Sequence, residues 1–260
     1  MYRQSCTNVD PSLIDCLNDL LKRFSVRLEP VAKEPSLQLI KQMGDYNWCI
    51  ETTKQNHVRI TYASNIYLFK AIGLFASSLS NNLPIPDCCE LKNPLKKRSV
   101  LLDCSRDAVF KVQTIKNYIQ HMALLGLDTL YLYLEDLYEV EQYPYFGYLR
   151  GRYSSSELEA ILHYCECYSI RLIFSIQTLA HLKHALRWEY ARELKDTDDI
   201  LYVGKEEVHR FLDALIGTVS SISTTRIIHL GMDEAAMLGL GNRFAQEGYT
   251  DQKALFRNHL

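Results

Sequence analysis

At 260 residues, 47 % of them apolar and 23 % charged, the chain has the size and composition of a globular protein with a substantial core. A formal net charge of −2, with Lys96–Arg98 as the largest basic cluster, excludes nucleic acid or an anionic membrane as principal partner. The amino-terminal MYRQSCTNVDPS lacks the apolar core of a signal peptide, and no later run is long enough to span a bilayer. A soluble, cytoplasmic protein is expected. None of the eight cysteines falls in a CxxC pair, so reduced structural thiols are expected for Cys6, Cys16, Cys49, Cys88, Cys89, Cys104, Cys165 and Cys167.

In chain order, Leu13, Leu17, Leu20 and Phe24 repeat at helical spacing and predict an amphipathic helix over 12–24. Strands are predicted at Ser25–Leu28, Trp48–Glu51 and Val58–Tyr62. Asn65 then caps a helix whose apolar stripe is Leu68, Ile72, Phe75 and Leu79. Three prolines in Ser80–Pro94 mark a linker. Residues 1–95 therefore read as a small α/β domain with no chemistry of its own, and residues 96–260 as a second domain.

From Arg98 onward strands alternate with helices. Strands are predicted at Ser99–Asp103, Thr129–Leu134, Arg171–Ile176 and Arg226–Leu230. Helices are marked by Ile115, Ile119 and Met122, by Leu158, Ile161, Leu162 and Cys165, and by Val208, Phe211, Leu212, Leu215 and Val219, with a further helical region near Leu179–Leu194. Such alternation predicts a parallel sheet, which collects its functional groups at the carboxyl ends of its strands.

Each of those ends supplies polar chemistry. Strand one runs into Asp103-Cys104-Ser105-Arg106, strand two into Glu135-Asp136, strand three into Gln177-Thr178-Leu179-Ala180-His181 and strand four into Asp233-Glu234. Two adjacent acids at a strand end can be held at different protonation states, one ionised and one available as proton donor. The plain alternatives are a helix cap for Asp233, a core histidine for His181, a turn residue for Asp136, and an ion pair from Arg106 to Asp103 or Asp107. The loop Tyr138–Tyr153, rich in tyrosine and carrying Arg150 and Arg152, suits sugar recognition, where rings stack and forked donors grip hydroxyls. Its alternative is a packed surface or partner-binding loop. His181, His229, Asp233 and Glu234 include zinc-ligand types but lack HExxH or paired-histidine spacing, so no catalytic metal and no cofactor is expected. The chain also lacks a GxSxG elbow, a P-loop and a GxGxxG fingerprint.

The run HLGMDE at 229–234 resembles the His/Asn-x-Gly-x-Asp-Glu signature of glycoside hydrolase family 20, the β-N-acetylhexosaminidases. DCSR at 103–106 resembles the end of that family's first barrel strand. YLEDLYEVEQYPYFGYLRGRYS and IQTLAHL resemble its cytoplasmic-type bacterial branch, and the front domain is similar to the α/β domain that precedes the barrel. The resemblance implies the following: a small α+β domain followed by the first four βα units of a (β/α)8 TIM-type barrel; Glu234 as general acid/base; and Asp233 orienting the substrate's 2-acetamido group, which itself acts as nucleophile. It further implies that His181 and Asp136 form a pair supporting Glu234, and that Arg106 and His229 bind substrate. The implied substrate is a glycan ending in GlcNAc or GalNAc, removed by exo-acting, substrate-assisted retaining hydrolysis. Glu135-Asp136 stands where many members have Asp-Asp, and IQTLAH where many have a proline-rich turn. Four strands rather than eight imply the N-terminal portion of a longer enzyme. An exo-β-glucosaminidase-like variant, a non-catalytic sugar-binding fragment and an unrelated α/β metal hydrolase are the alternatives.

Overall fold

The computed structural model describes residues 2–7, 10–31, 35–53, 57–92, 95–106 and 108–260. They fall into two compact units: Met1–Val100 with Gln113–Thr129 and His163–Arg171, and Leu101–Val112 with Leu130–Leu162 and Leu172–Leu260. No helix among the described residues is long and apolar enough to cross a membrane.

The first unit contains strand β1 (Tyr2–Thr7), helix α1 (Pro11–Leu21), β2 (Val26–Pro30), β3 (Leu37–Lys41), β4 (Tyr46–Thr52), β5 (Val58–Tyr62), α2 (Asn65–Ser80) and β6 (Cys88–Leu91). The strands form one mixed sheet in the order β2-β1-β3-β5-β4-β6, with β4 antiparallel to both its neighbours. Helix α1 starts where the Asp10 carboxylate accepts the Ser12 amide at 2.9 Å, with Pro11 at the first helical position. It buries Leu13, Leu17, Leu20 and Leu21, and its predicted last turn is a separate 3-10 turn, Lys22–Phe24, ended by Ser25 in the left-handed region.

Three strands of this sheet escaped prediction. β1, YRQSCT, fully buries only Cys6, so its polar sequence carries no apolar alternation. β3 does alternate, with Leu37 and Leu39 at zero exposure. β6 lies inside the predicted Ser80–Pro94 linker; it pairs with β4 and places Cys89 opposite Cys49, and the two are joined as a disulfide. That corrects the expectation of reduced thiols at these two positions. Adjacent Cys88 remains free. Asn93 and Pro94 of that linker lie outside the described residues.

The second sheet is built from β7 (Ser99–Asp103), β8 (Thr129–Tyr133), β9 (Arg171–Gln177) and β10 (His229–Gly231), in the order β10-β9-β8-β7, with β9 and β10 parallel. Helices α3 (Val112–Leu125) and α4 (Ser155–Cys167) fall between these strands, as do the one-turn α5 (Lys183–Leu186) and the long α6 (Glu206–Ile222); α7 (Asn242–Glu247) and α8 (Gln252–His259) follow β10. Sequential strand order with helical connections is the first half of a TIM-type barrel. β9 is buried at six of its seven positions, as a strand covered on both faces must be. Helix α6 buries Val208, Phe211, Leu215 and Val219 at the predicted spacing.

Two expectations fail here. The region Leu179–Leu194 is helical only over α5 and a 3-10 turn at Glu189–Ala191; Leu179, Ala180 and Leu182 are buried as irregular backbone instead. The fourth strand is shorter than Arg226–Leu230 and is not a buried strand, since Ile227 is 42 % and Leu230 40 % exposed. The reason is position: β10 is an outer strand with β9 as its one neighbour among the described residues.

Candidate active site

The period-2 alternation of parallel strands sorts their side chains onto two faces. Leu130 and Leu132 of β8 and Leu172, Phe174 and Ile176 of β9 take one; Tyr131, Tyr133, Ser175 and Gln177 take the other and are joined there by His229 of β10. Ser175 Oγ lies 2.6 Å from His229 Nδ1, and Tyr131 meets the imidazole edge-on at 6.1 Å between centroids. The polar face leads upward, through Tyr133 and Gln177, to the strand ends.

Past β7 the Asp103 carboxylate accepts both the Ser105 amide, at 2.8 Å, and the Ser105 hydroxyl, at 2.7 Å, in a tight turn that presents Arg106. The Arg106 guanidinium donates to Ser105 Oγ at 2.8 Å and to the buried Glu135 carboxylate, and lies 5.7 Å from the centre of the Tyr133 ring. Asp107, the other acid expected within reach of Arg106, lies outside the described residues. Past β8, Glu135 takes a left-handed backbone, φ 48°, which turns its carboxylate back toward Arg106 and the Tyr133 hydroxyl at 3.2 Å. Sequence reasoning passed over Glu135, although its place beside Asp136 at a strand end was the available signal.

Asp136 is 2 % exposed and accepts from Arg150 Nε at 3.3 Å, while Arg150 Nη2 donates to the Ser105 carbonyl at 2.8 Å. Arg150 thus ties the end of β8 to the end of β7. The expected pair between Asp136 and His181 is therefore not what the structure shows: Asp136 is taken by Arg150, and its other carboxylate oxygen is buried without a hydrogen-bond partner among the described residues. The loop that supplies Arg150 lies close over this point, for a Cβ at Gly147 (φ 67°) would stand 2.0 Å from the Asp136 carbonyl. Arg152, grouped with Arg150 by sequence, instead donates to the loop's own Pro144 carbonyl at 2.8 Å. The loop tyrosines divide likewise. Tyr138 is buried against Phe146, whereas Tyr145 and Tyr148 are half-exposed and cluster with Trp188 at 5.4 and 5.5 Å.

His181 and Glu234 both occupy the left-handed region, each with φ 56°. Their turns bring His181 Nε2 to 3.4 Å from Asp233 Oδ2 and 3.5 Å from Glu234 Oε2. Both acids are largely exposed, 64 % and 78 % by side chain. The Asp233 carboxyl is held below the usual carboxylate range, foremost by the hydrogen bond that Gln177 Nε2 donates to Oδ1 at 3.0 Å, aided by His181 against a burial penalty. That hydrogen bond favours the ionised form of Asp233. His181, Arg106, Glu135 and Arg150 line one cleft of about 960 Å³, together with Lys183, His184, Asp199 and Met237. The structure thus gathers Arg106, His181, Asp233 and Glu234, and leaves His229 two residues below, bound to Ser175. Among the described residues no group of three or more His, Cys, Asp or Glu is placed to hold a metal ion.

The profile of glycosyl hydrolase family 20, catalytic domain, matches residues 96–255. Hexosaminidase D of Bos taurus is 30 % identical over 131 residues, covering 47 % of this chain and 36 % of that protein. Hexosaminidase D of Homo sapiens is 27 % identical over 179 residues, covering 64 % and 36 %. Among solved structures, a mutant β-hexosaminidase of Streptomyces plicatus in complex with GlcNAc superposes with a TM-score of 0.75 at 22 % identity, over 90 % of this chain and 56 % of that one. The β-N-acetylhexosaminidase of Bacteroides fragilis gives 0.75 at 22 %, over 99 % and 58 %. These likenesses carry the fold: a small α+β domain followed by the first four βα units of a TIM-type barrel. The chain spans little more than a third of the length of the curated relatives it matches. With the family profile covering residues 96–255, the chain belongs to glycosyl hydrolase family 20.

Proposed function

We propose that this chain is part of a β-N-acetylhexosaminidase that removes terminal, non-reducing GlcNAc or GalNAc from glycans with retention of configuration. The observation that carries the reading is the single imidazole nitrogen of His181 set between Asp233 and Glu234 at the sheet's carboxyl end. In the proposed reaction Glu234 protonates the glycosidic oxygen as the C1–O bond breaks. The carbonyl oxygen of the substrate's own 2-acetamido group attacks C1 and closes a bicyclic oxazolinium ion. Ionised Asp233 hydrogen-bonds the acetamide N–H and offsets the positive charge that grows there. Water then adds to C1, giving its proton to Glu234, and the ring opens to restore the acetamide. Arg106 grips hydroxyls of the terminal sugar, its own position set by Glu135. Asp136 acts in this reading through Arg150 rather than through His181.

The test is hydrolysis of an aryl N-acetyl-β-glucosaminide by the chain, with Glu234→Gln and Asp233→Asn alongside. Turnover that falls about 100-fold or more in Glu234→Gln is the expected outcome for a general acid. A second reading, a sugar-binding fragment, is favoured by the outer strand β10, where Leu230 and, just before the strand, Ile227 stand exposed. GlcNAc binding without turnover selects that reading; neither binding nor turnover overturns both.

A further inference from the structure

Gln177 is the last residue of β9, 1 % exposed, and its Nε2 makes two hydrogen bonds: to the Tyr133 hydroxyl at 2.8 Å and to Asp233 Oδ1 at 3.0 Å. Tyr133 in turn donates to Glu135 Oε1 at 3.2 Å, and Glu135 accepts from Arg106. Every proton in this series has one consistent direction. Arg106 and Tyr133 donate to Glu135, and the two amide hydrogens of Gln177 go to Tyr133 and Asp233. Space is also reserved for the amide, since a Cβ at Gly231 would lie 2.6 Å from its carbon, nitrogen and oxygen. Yet Gln177 Oε1 is buried with no hydrogen-bond partner among the described residues. A glutamine kept for stability would satisfy both ends of its amide, because an orphaned buried acceptor costs stability. This one satisfies only the end that faces Tyr133 and Asp233.

We infer that Gln177, oriented by Tyr133, is a positioning residue that fixes the Asp233 carboxylate and links it to the Arg106 end of the cleft. The inference rests on the reading of Asp233 as the acid that orients the acetamide. One amide hydrogen locks Oδ1, which leaves Oδ2 to His181 and to a substrate N–H. The other hydrogen, through Tyr133 and Glu135, ties that orientation to the guanidinium that holds the sugar. The groups facing Asp233 are Gln177 from β9, His181 from the loop after it and neighbouring Glu234.

The experiment is a carbon-13 NMR titration of the Asp233 carboxyl in the intact chain, in Gln177→Leu, in the near-isosteric Gln177→Glu and in Tyr133→Phe, with thermal midpoints measured on the same samples. Expected is an upward shift of the Asp233 titration toward the ordinary carboxylate value in Gln177→Leu, with a midpoint no lower than wild type because the orphaned oxygen is gone. Gln177→Glu shifts it further, by adding a like charge, and Tyr133→Phe shifts it less. An Asp233 titration unchanged in Gln177→Leu and Gln177→Glu overturns the inference, as does a lowered midpoint with no titration shift. Where the aryl glycoside is turned over, Gln177→Leu lowers kcat with KM nearly unchanged, since the acetamide is gripped as charge develops. The titration reads out with or without turnover, so failure of the hydrolase reading and failure of this inference are separate results.

Discussion

Gly231 has no side chain, and the amide of Gln177 fills the space that a methyl group would take. Gly231→Ala is expected to displace that amide and to destabilise the chain by about 1–3 kcal/mol, the usual cost of overpacking, measured as a lower urea midpoint with an unchanged slope. The glycine inside the HLGMDE run thus has a local steric reason. Sequence made the acids of that run legible because two carboxylates at a strand end are unusual chemistry. It did not make Gln177 or Glu135 legible, since an amide and a carboxylate beside a turn have ordinary alternatives. Their roles depend on which neighbour the backbone turns them toward, and for Glu135 that turn is the left-handed φ of 48°. The same limit explains Asp136. Its partner was expected to be His181, but Arg150 reaches it first from a loop whose path the sequence does not specify.

Among the elements, those with strong periodicity were legible: β7 to the residue, and β8, β9, α3, α4 and α6 by their apolar stripes. Of the three missed strands β3 carries an apolar alternation of its own, in Leu37 and Leu39, over only five residues, whereas β1 and β6 are stabilised by partners rather than by their own pattern. β1 is held between β2 and β3, and β6 by its pairing with β4. Helix α8 carries a prediction of its own. His259 lies in its last turn with Nε2 2.7 Å from the Thr178 carbonyl, and burial, with His209 nearby, pushes its pKa down against that hydrogen bond. A base whose folded pKa lies below its unfolded value of about 6.5 binds fewer protons when folded. Stability is then complete above that value and is lost as pH falls below it. The thermal midpoint should therefore decline between pH 7 and pH 5, and His259→Gln should flatten the decline. A decline of the same slope in the variant would remove His259 as its cause.

For the whole molecule, the four-stranded sheet has two outer strands among the described residues, β7 and β10, and apolar side chains stand exposed on or beside them: Leu101 at 55 % on β7, Leu230 at 40 % on β10 and Ile227 at 42 % just before β10. Unpaired strand edges with apolar flanks promote association. The chain by itself should accordingly show a light-scattering mass that rises with concentration, and charge introduced by Ile227→Lys should lower it; a mass fixed at one value across concentrations would show the edges to be harmless. The arrangement of the four strand ends has a different implication for how such a chain is inherited. Glu234 sits on left-handed backbone with a side chain that is 78 % exposed, a place where glycine is more comfortable than glutamate. Glu234→Gly should raise stability by about 1 kcal/mol, measured as a higher urea midpoint, while removing the acid beside His181. A lineage selected only for folding would drift to glycine at this position, so a glutamate that persists there in descendants of this sequence would itself record that the site is in use.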